Sequence, residues 1–192
     1  ILSRSTDLGK TFRQVLGKVL KLTGLACGLI YLTDEKQRKL LIKAHKGLSD
    51  RPLKALDGLA LGEGFGGRVA LTGEPLFVPD IGQDPRLTRT EALKRGYAAL
   101  ASVPLVSSGK VLGVLTVSGR EARKFSPEER RLLESIGNEI GVAVERAQLL
   151  QRAQDRAREL ETLVSVNREM VSSLDLQEVL DRTLAIMCRQ VG

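Results

Sequence analysis

Tryptophan is absent from this chain of 192 residues, and all aromatic residues together make up 3%. Base-stacking platforms of the kind found on RNA-binding sheets need several exposed rings, so none is expected here. Histidine occurs once, at His45, and cysteine twice, at Cys27 and Cys188. Such a set supplies neither a disulfide framework nor a zinc site, which takes about four ligands. Thiols without a framework fit a reducing compartment, and a cytoplasmic location is expected. No apolar run approaches the roughly 18 residues that cross a bilayer, so no membrane partner is expected. The chain opens on Ile1 and not on Met, as expected of a piece of a longer protein.

What is present is aliphatic and charged. Hydrophobic residues are 42% of the chain, charged residues 28%, and leucine alone occurs 33 times. A folded chain of this size removes roughly 70% of its unfolded surface from water, so the core will be large and aliphatic. The net charge of +7 is uneven: residues 1–119 hold 18 Lys/Arg against 10 Asp/Glu, while residues 120–170 balance at 10 and 10. A basic surface attracts anions. Yet no run of five basic residues and no reading helix occurs, so this is read as a solvated surface and no nucleic-acid partner is expected.

The periodicity mixes strands with short helices. Leu8, Phe12, Val15, Val19 and Leu22 recur at three and four residues and predict a helix capped by Asp7 and stopped by Gly24. Residues 27–33 and 39–45 are apolar runs joined by a charged turn, a hairpin pattern. A short helix is expected around residues 51–56. A glycine-dense segment, 62–73, has room for a two-turn helix, and residues 76–78 form a short strand. Residues 80–87 read as an ordered loop, and 90–95 as a short helix ending at Gly96. Residues 99–106 and 111–118 form a second hairpin. Two hairpins make the sheet largely antiparallel and the fold α+β.

A long helix follows. Ser126 is its expected N-cap, Pro127 its first position and Glu129 the partner in a capping box. Leu133, Ile136, Ile140, Ala143 and Ala147 form one apolar stripe. Leu150, Ala153, Ala157, Leu160, Val164, Asn167, Val171 and Leu174 continue it at alternating three and four. A seven-residue repeat of this kind belongs to a coiled coil, with a change of register expected near residues 147–150. From Pro127 to Val171 the rod would be about 67 Å long. Its lower half has nothing in its own chain to pack on, so Leu150, Ala153, Ala157, Leu160, Val164, Asn167 and Val171 are candidate contacts in a parallel homodimer. Asn167 on the seam favours a defined two-stranded state.

The end of the chain repeats its beginning. Residues 5–24 align without a gap on residues 173–192, and Ser5, Asp7, Leu8, Leu16 and Gly24 meet Ser173, Asp175, Leu176, Leu184 and Gly192. The last twenty residues read as the first helix of a second copy of the same domain. The expected organisation is one domain over residues 1–150, a connector helix over 151–172 and the truncated second copy over 173–192.

Taken in order, several segments resemble the GAF family of small-molecule sensing modules. They are the run from Gly62 to Ile81 (Gly-Glu-Gly-Phe-Gly-Gly-Arg-Val-Ala-Leu-Thr-Gly-Glu-Pro-Leu-Phe-Val-Pro-Asp-Ile) and then Asp84-Pro85-Arg86. Ser102-Val-Pro-Leu105, Gly109, Val111-Leu-Gly-Val-Leu115 and Phe125-Ser126 follow. The resemblance covers residues 6 to about 150. It implies a five- or six-stranded antiparallel sheet, with the first and last helices on one face and a ligand cup on the other. It also implies a signal relay, in which helices run on as coiled coils into output domains such as histidine kinases, cyclases, phosphodiesterases or transcription activators. The candidate cup residues are Phe77, Asp80, Ile81, Arg86, Lys94, Tyr97, Ser102, Val103, Leu115 and Thr116. Arg86 and Lys94 suit a carboxylate or a phosphate. Alternatively, Asp80 only caps the loop and Arg86 pairs with it.

Cofactor readings are weak. Gly62, Gly64 and Gly67 spell GxGxxG, but neither a buried strand before them nor a full helix after them is expected, so the motif reads as a tight turn. A few GAF sensors ligate haem through histidine. His45, alternating with Leu41 and Lys43, reads instead as a strand residue on the more polar face. Bilin photoreceptors of the family use a pocket cysteine, whereas Cys27 beside Gly28 reads as core. Metal, haem and bilin are therefore not expected, and the ligand's identity is left unknown. GAF-like reductases of free methionine sulfoxide use several cysteines, and only Cys27 lies in this domain, so no enzyme activity is expected. The residue set that accompanies cyclic nucleotides in the family is not found. The competing expectation is a ligand-free dimerisation scaffold, whose cup would be filled by its own side chains.

Overall fold

The computed structural model describes residues 2–48, 56–86 and 91–190. It divides into two units, residues 1–145 and 146–192. The first contains α1 (Leu2–Thr23), β1 (Cys27–Asp34), β2 (Lys39–Lys46), β3 (Leu59–Ala60) and α2 (Gly64–Thr72). Then come β4 (Leu76–Val78), a 3-10 turn (Ile81–Gln83), α3 (Glu91–Lys94), β5 (Ala99–Ser107) and β6 (Lys110–Gly119). The last helix, α4, is Pro127–Gln190. Of the helix expected at residues 51–56, positions 51–55 lie outside the described residues. Among those described, no helix is long and apolar enough to cross a membrane.

The six strands form one antiparallel sheet in the order β3-β2-β1-β6-β5-β4. Both faces of its centre are covered, so β5 is buried at nearly every position. One face packs on helices. Phe12, Leu16 and Val19 of α1 meet Ile30, Ala101, Val103, Leu115 and Val117 of the sheet, together with Leu133, Ile140 and Val144 of α4. Each of these side chains larger than alanine contributes about 1.5–3 kcal/mol on burial. Glycine is required where α4 crosses β5. A Cβ on Gly137 would lie 2.6 Å from the Pro104 carbonyl oxygen, and one on Gly141 would lie 2.3 Å from that of Val106. Helix and strand therefore touch backbone to backbone.

The start of α4 is built as its sequence dictates. The Glu129 amide donates to Ser126 Oγ at 3.2 Å, and the Ser126 amide donates to Glu129 Oε2 at 3.0 Å. Arg123 pairs with the same Glu129 and donates to the Thr23 carbonyl at 3.2 Å, tying the end of α1 to the start of α4. Caps of this kind are worth about 1 kcal/mol. Helix α1 begins earlier than expected: Leu2–Asp7 is already helical, so Asp7 is interior and not the cap. The apolar periodicity that marks a core-facing stretch starts only at Leu8, and the preceding turn carries no such signal.

A second difference lies in β2. Ile30 pairs with Ala44 and Tyr31 with Ile42, so Lys43 is an extra residue, a β-bulge. The bulge resets the alternation. His45 pairs with Leu29 and shares its face, whereas Leu41 pairs with Leu32 on the opposite face.

In the second unit α4 is continuous and runs through Gln190. Leu150, Leu160 and Val164 are 55%, 62% and 67% exposed on this single chain. Residues 191–192, part of the expected second copy, lie outside the described residues.

Candidate functional site

The sheet face opposite the helices encloses a cavity of about 90 Å³. Its floor comes from alternate residues of three strands: Cys27, Leu29 and Tyr31 of β1, Leu100 of β5, and Thr116 and Ser118 of β6. Gly64, Phe65 and Gly66 of α2 form one wall, joined by Leu48, Leu56 and Leu59. Ala92, Arg95 and Tyr97, in and after α3, form the other. The glycine run sets the first wall close. Gly62 and Gly64 take positive φ of 89° and 61°, and a Cβ on Gly67 would lie 2.3 Å from the Ala60 carbonyl oxygen. The formal GxGxxG is thus a tight turn that seats α2 against β3, as its spacing leads one to expect.

Polar groups gather on one side. Cys27, Tyr97 and Ser118 line it together. The Tyr97 hydroxyl donates to the Gly47 carbonyl at 3.4 Å. Ser102 Oγ and Thr116 Oγ1 lie 2.8 Å apart on the same face. Burial pushes the Cys27 thiol up, which keeps it protonated and a poor nucleophile. Burial and the Cys27 partner push Tyr97 up to about 12. Among the described residues no three of His, Cys, Asp or Glu gather where they could share a metal.

The Tyr97 shift has a measurable consequence. The ordinary tyrosine value is 10.0 and the folded one about 12. The fold holds this proton more tightly than the unfolded chain does. Its contribution to stability is therefore complete below pH 10 and is lost as the pH rises towards 12. Alkaline titration followed by phenolate absorbance is expected to show a late component, and Tyr97→Phe to remove it.

The residues singled out from sequence fall into three groups. Tyr97 and Thr116 line the cavity, and Ser102 bonds to Thr116 beside it. Ile81 is fully buried in the apolar cluster of Phe65, Val78, Tyr97 and Leu100, without lining the cavity. Asp80 caps the 3-10 turn, its Oδ1 accepting from the Gly82 amide at 2.9 Å. Arg86 pairs with Asp84, not with Asp80, through Nε at 2.8 Å and Nη2 at 2.5 Å. Lys94 is exposed. Phe77, Val103 and Leu115 belong to the cluster on the helix face. Phe77 stacks there, 5.6 Å from Phe125 and under the Arg130 guanidinium at 5.0 Å.

A sheet with terminal helices on one face and a roofed cavity on the other defines a sensor-type α+β fold. The GAF domain family matches residues 5–145, well over half of the chain, and the chain belongs to that family. It is 34% identical over 151 residues to the Nif-specific regulatory protein of Azospirillum lipoferum, covering 75% of this chain and 24% of that protein. It is also 34% identical over 130 residues to the methyl sulfide methyltransferase-associated sensor of Methanosarcina acetivorans, covering 65% and 13%. The chain thus spans about a quarter or less of these two relatives. Among solved structures, the GAF domain of a phosphoenolpyruvate-protein phosphotransferase from Coxiella burnetii superposes with a TM-score of 0.68 at 20% identity, covering 76% and 86%. At that identity the likeness is one of fold.

Proposed function

We propose that this chain is a regulatory sensor module, which binds a small molecule in the cavity and passes the bound state along α4 to an output domain of the same polypeptide. The observation that carries this reading is the cavity itself: open space of about 90 Å³, mostly apolar walls and a few convergent polar groups. The names of the relatives, a regulatory protein and a sensor, agree with it. In this reading the output is a kinase, cyclase, phosphodiesterase or transcription activator, and the setting is cytoplasmic. The module itself is not catalytic. Cys27 is the one thiol among the lining residues, and burial holds it in its unreactive form.

Transmission follows from packing. Strand β5 gives Leu100 to the cavity and its carbonyls at Pro104 and Val106 to the glycines of α4. A ligand that moves β5 moves the seat of that helix, which biases one of two packings. The apolar stripe of Leu150, Ala153, Ala157, Leu160, Val164, Asn167 and Val171 then serves as the seam of a parallel homodimer. Residues 173–192 are the first helix of a second copy of the domain, linked by a connector at 151–172.

Native mass spectrometry tests the reading. A dimer carrying a discrete extra mass per chain, released on denaturation, is the expected result. A bare dimer that takes up no mass from cell extract favours the alternative, a ligand-free dimerisation scaffold. That alternative calls for a cup filled by its own side chains, and the open volume counts against it.

A further inference from the structure

Gly66 breaks a local rule that its neighbouring glycines obey. It lies in the first turn of α2, buried and on the lining of the cavity. Gly62 and Gly64 have positive φ, and Gly67 has no room for a Cβ against the Ala60 carbonyl oxygen. Neither reason holds at Gly66. Its φ is not positive. An added Cβ would meet, among the described residues, nothing nearer than Leu59 Cδ2 at 3.5 Å, then Thr116 Oγ1 at 3.7 Å and Leu40 Cδ1 at 3.9 Å. All three are ordinary van der Waals contacts with side-chain atoms.

An alanine would therefore fit, and it would stabilise the fold in two ways. Alanine is the better helix former, and its methyl group would fill open space beside an apolar side chain. Leu59 and Thr116 both line the cavity, so the space that the methyl would take is cavity space. The cavity of about 90 Å³ holds roughly six to nine water-sized groups at about 10–15 Å³ each, and a methyl group displaces at least one of them. A residue that forgoes stability with no conformational or steric reason is expected where function needs the room.

We infer that Gly66 sets the size limit of the ligand cavity: its missing side chain leaves the room that the largest accepted ligand fills between α2 and the floor of the sheet. The inference rests on the receptor reading above and names the residue that sizes its site.

Xenon and benzene are apolar probes of different size that enter apolar cavities. Xenon binding is followed by xenon NMR and benzene binding by calorimetry, on the 192-residue chain and on its Gly66→Ala variant. The parent is expected to bind both. Gly66→Ala is expected to weaken benzene at least about fivefold, the lower end of what an extra methyl costs in a filled space, and to hold xenon within about twofold. The variant's ligand-free melting temperature is expected to stay level or to rise by up to about 4 °C. That readout separates a sizing residue from a structural one, because replacing a glycine that the fold requires lowers the melting temperature. Benzene bound equally by parent and variant, both probes lost alike, or a variant that melts below the parent would overturn the inference and leave the receptor reading standing. A parent that binds neither probe would also overturn it, and the mass measurement above then decides whether the receptor reading falls too.

Discussion

Alanine at both Gly137 and Gly141 is expected to lower the stability of the domain by roughly 2–4 kcal/mol, although alanine is the better helix former. Propensity alone predicts a gain of about 1 kcal/mol at each position. The packing reverses the sign. The new Cβ atoms would stand 2.6 Å from the Pro104 oxygen and 2.3 Å from the Val106 oxygen. Those obstacles are backbone atoms of a central strand, which cannot swing aside as a side chain does. A matched control isolates the effect. Gly9 sits within α1, where an added Cβ meets nothing nearer than the Lys43 carbonyl oxygen at 3.8 Å, an ordinary contact. Gly9→Ala is therefore expected to stabilise by up to about 1 kcal/mol. Urea unfolding of the parent, the double variant and the control measures all three. A double variant as stable as the parent would mean that α4 is not seated on β5 in this way.

The second large effect concerns association. Leu160→Glu together with Val164→Glu is expected to turn a dimeric chain monomeric in sedimentation equilibrium, with the domain's melting curve unchanged. Both residues are more than half exposed on the single chain, so charge there costs the monomer little. In a two-stranded seam the double variant removes four buried apolar side chains per dimer, on the order of 6–12 kcal/mol. Micromolar association amounts to about 8 kcal/mol in all. The seam would thus lose most or all of its driving force. A variant that stays fully dimeric would move the dimer contact to another surface.

The element order was legible because each element carries its own punctuation. The Ser126–Glu129 capping box, the turn between β5 and β6, and the glycine that ends α2 are local signals, and each appears where the residues place it. Which residues face the cavity was far less legible. Val103 and Leu115 look no different in sequence from Leu100 and Leu29. Strands buried on both sides have no polar alternation from which to read parity. Phe77 lies in the motif beside the cup residues, yet its ring stacks on Phe125 from the helix side. The bulge at Lys43 also leaves no composition signal, so the face of His45 could not be read from strict alternation. A four-residue helix gives too little periodicity to tell Arg95, which lines the cavity, from the exposed Lys94 one position earlier. The glycines around Phe65 are the signal in the sequence that marks one wall of the cavity.

The sheet is one residue thick, and this separates two kinds of change on alternate letters of the sequence. In β5 and β6 the even positions Leu100, Thr116 and Ser118 reach the cavity, while the odd positions Ala101, Val103, Leu115 and Val117 hold the helices. A lineage can therefore recut what the cavity accepts at those even positions without disturbing the seat of α4, and retune that seat at those odd positions without altering the cavity. Descendants of one such domain could diversify their chemical input while keeping a common mechanical output.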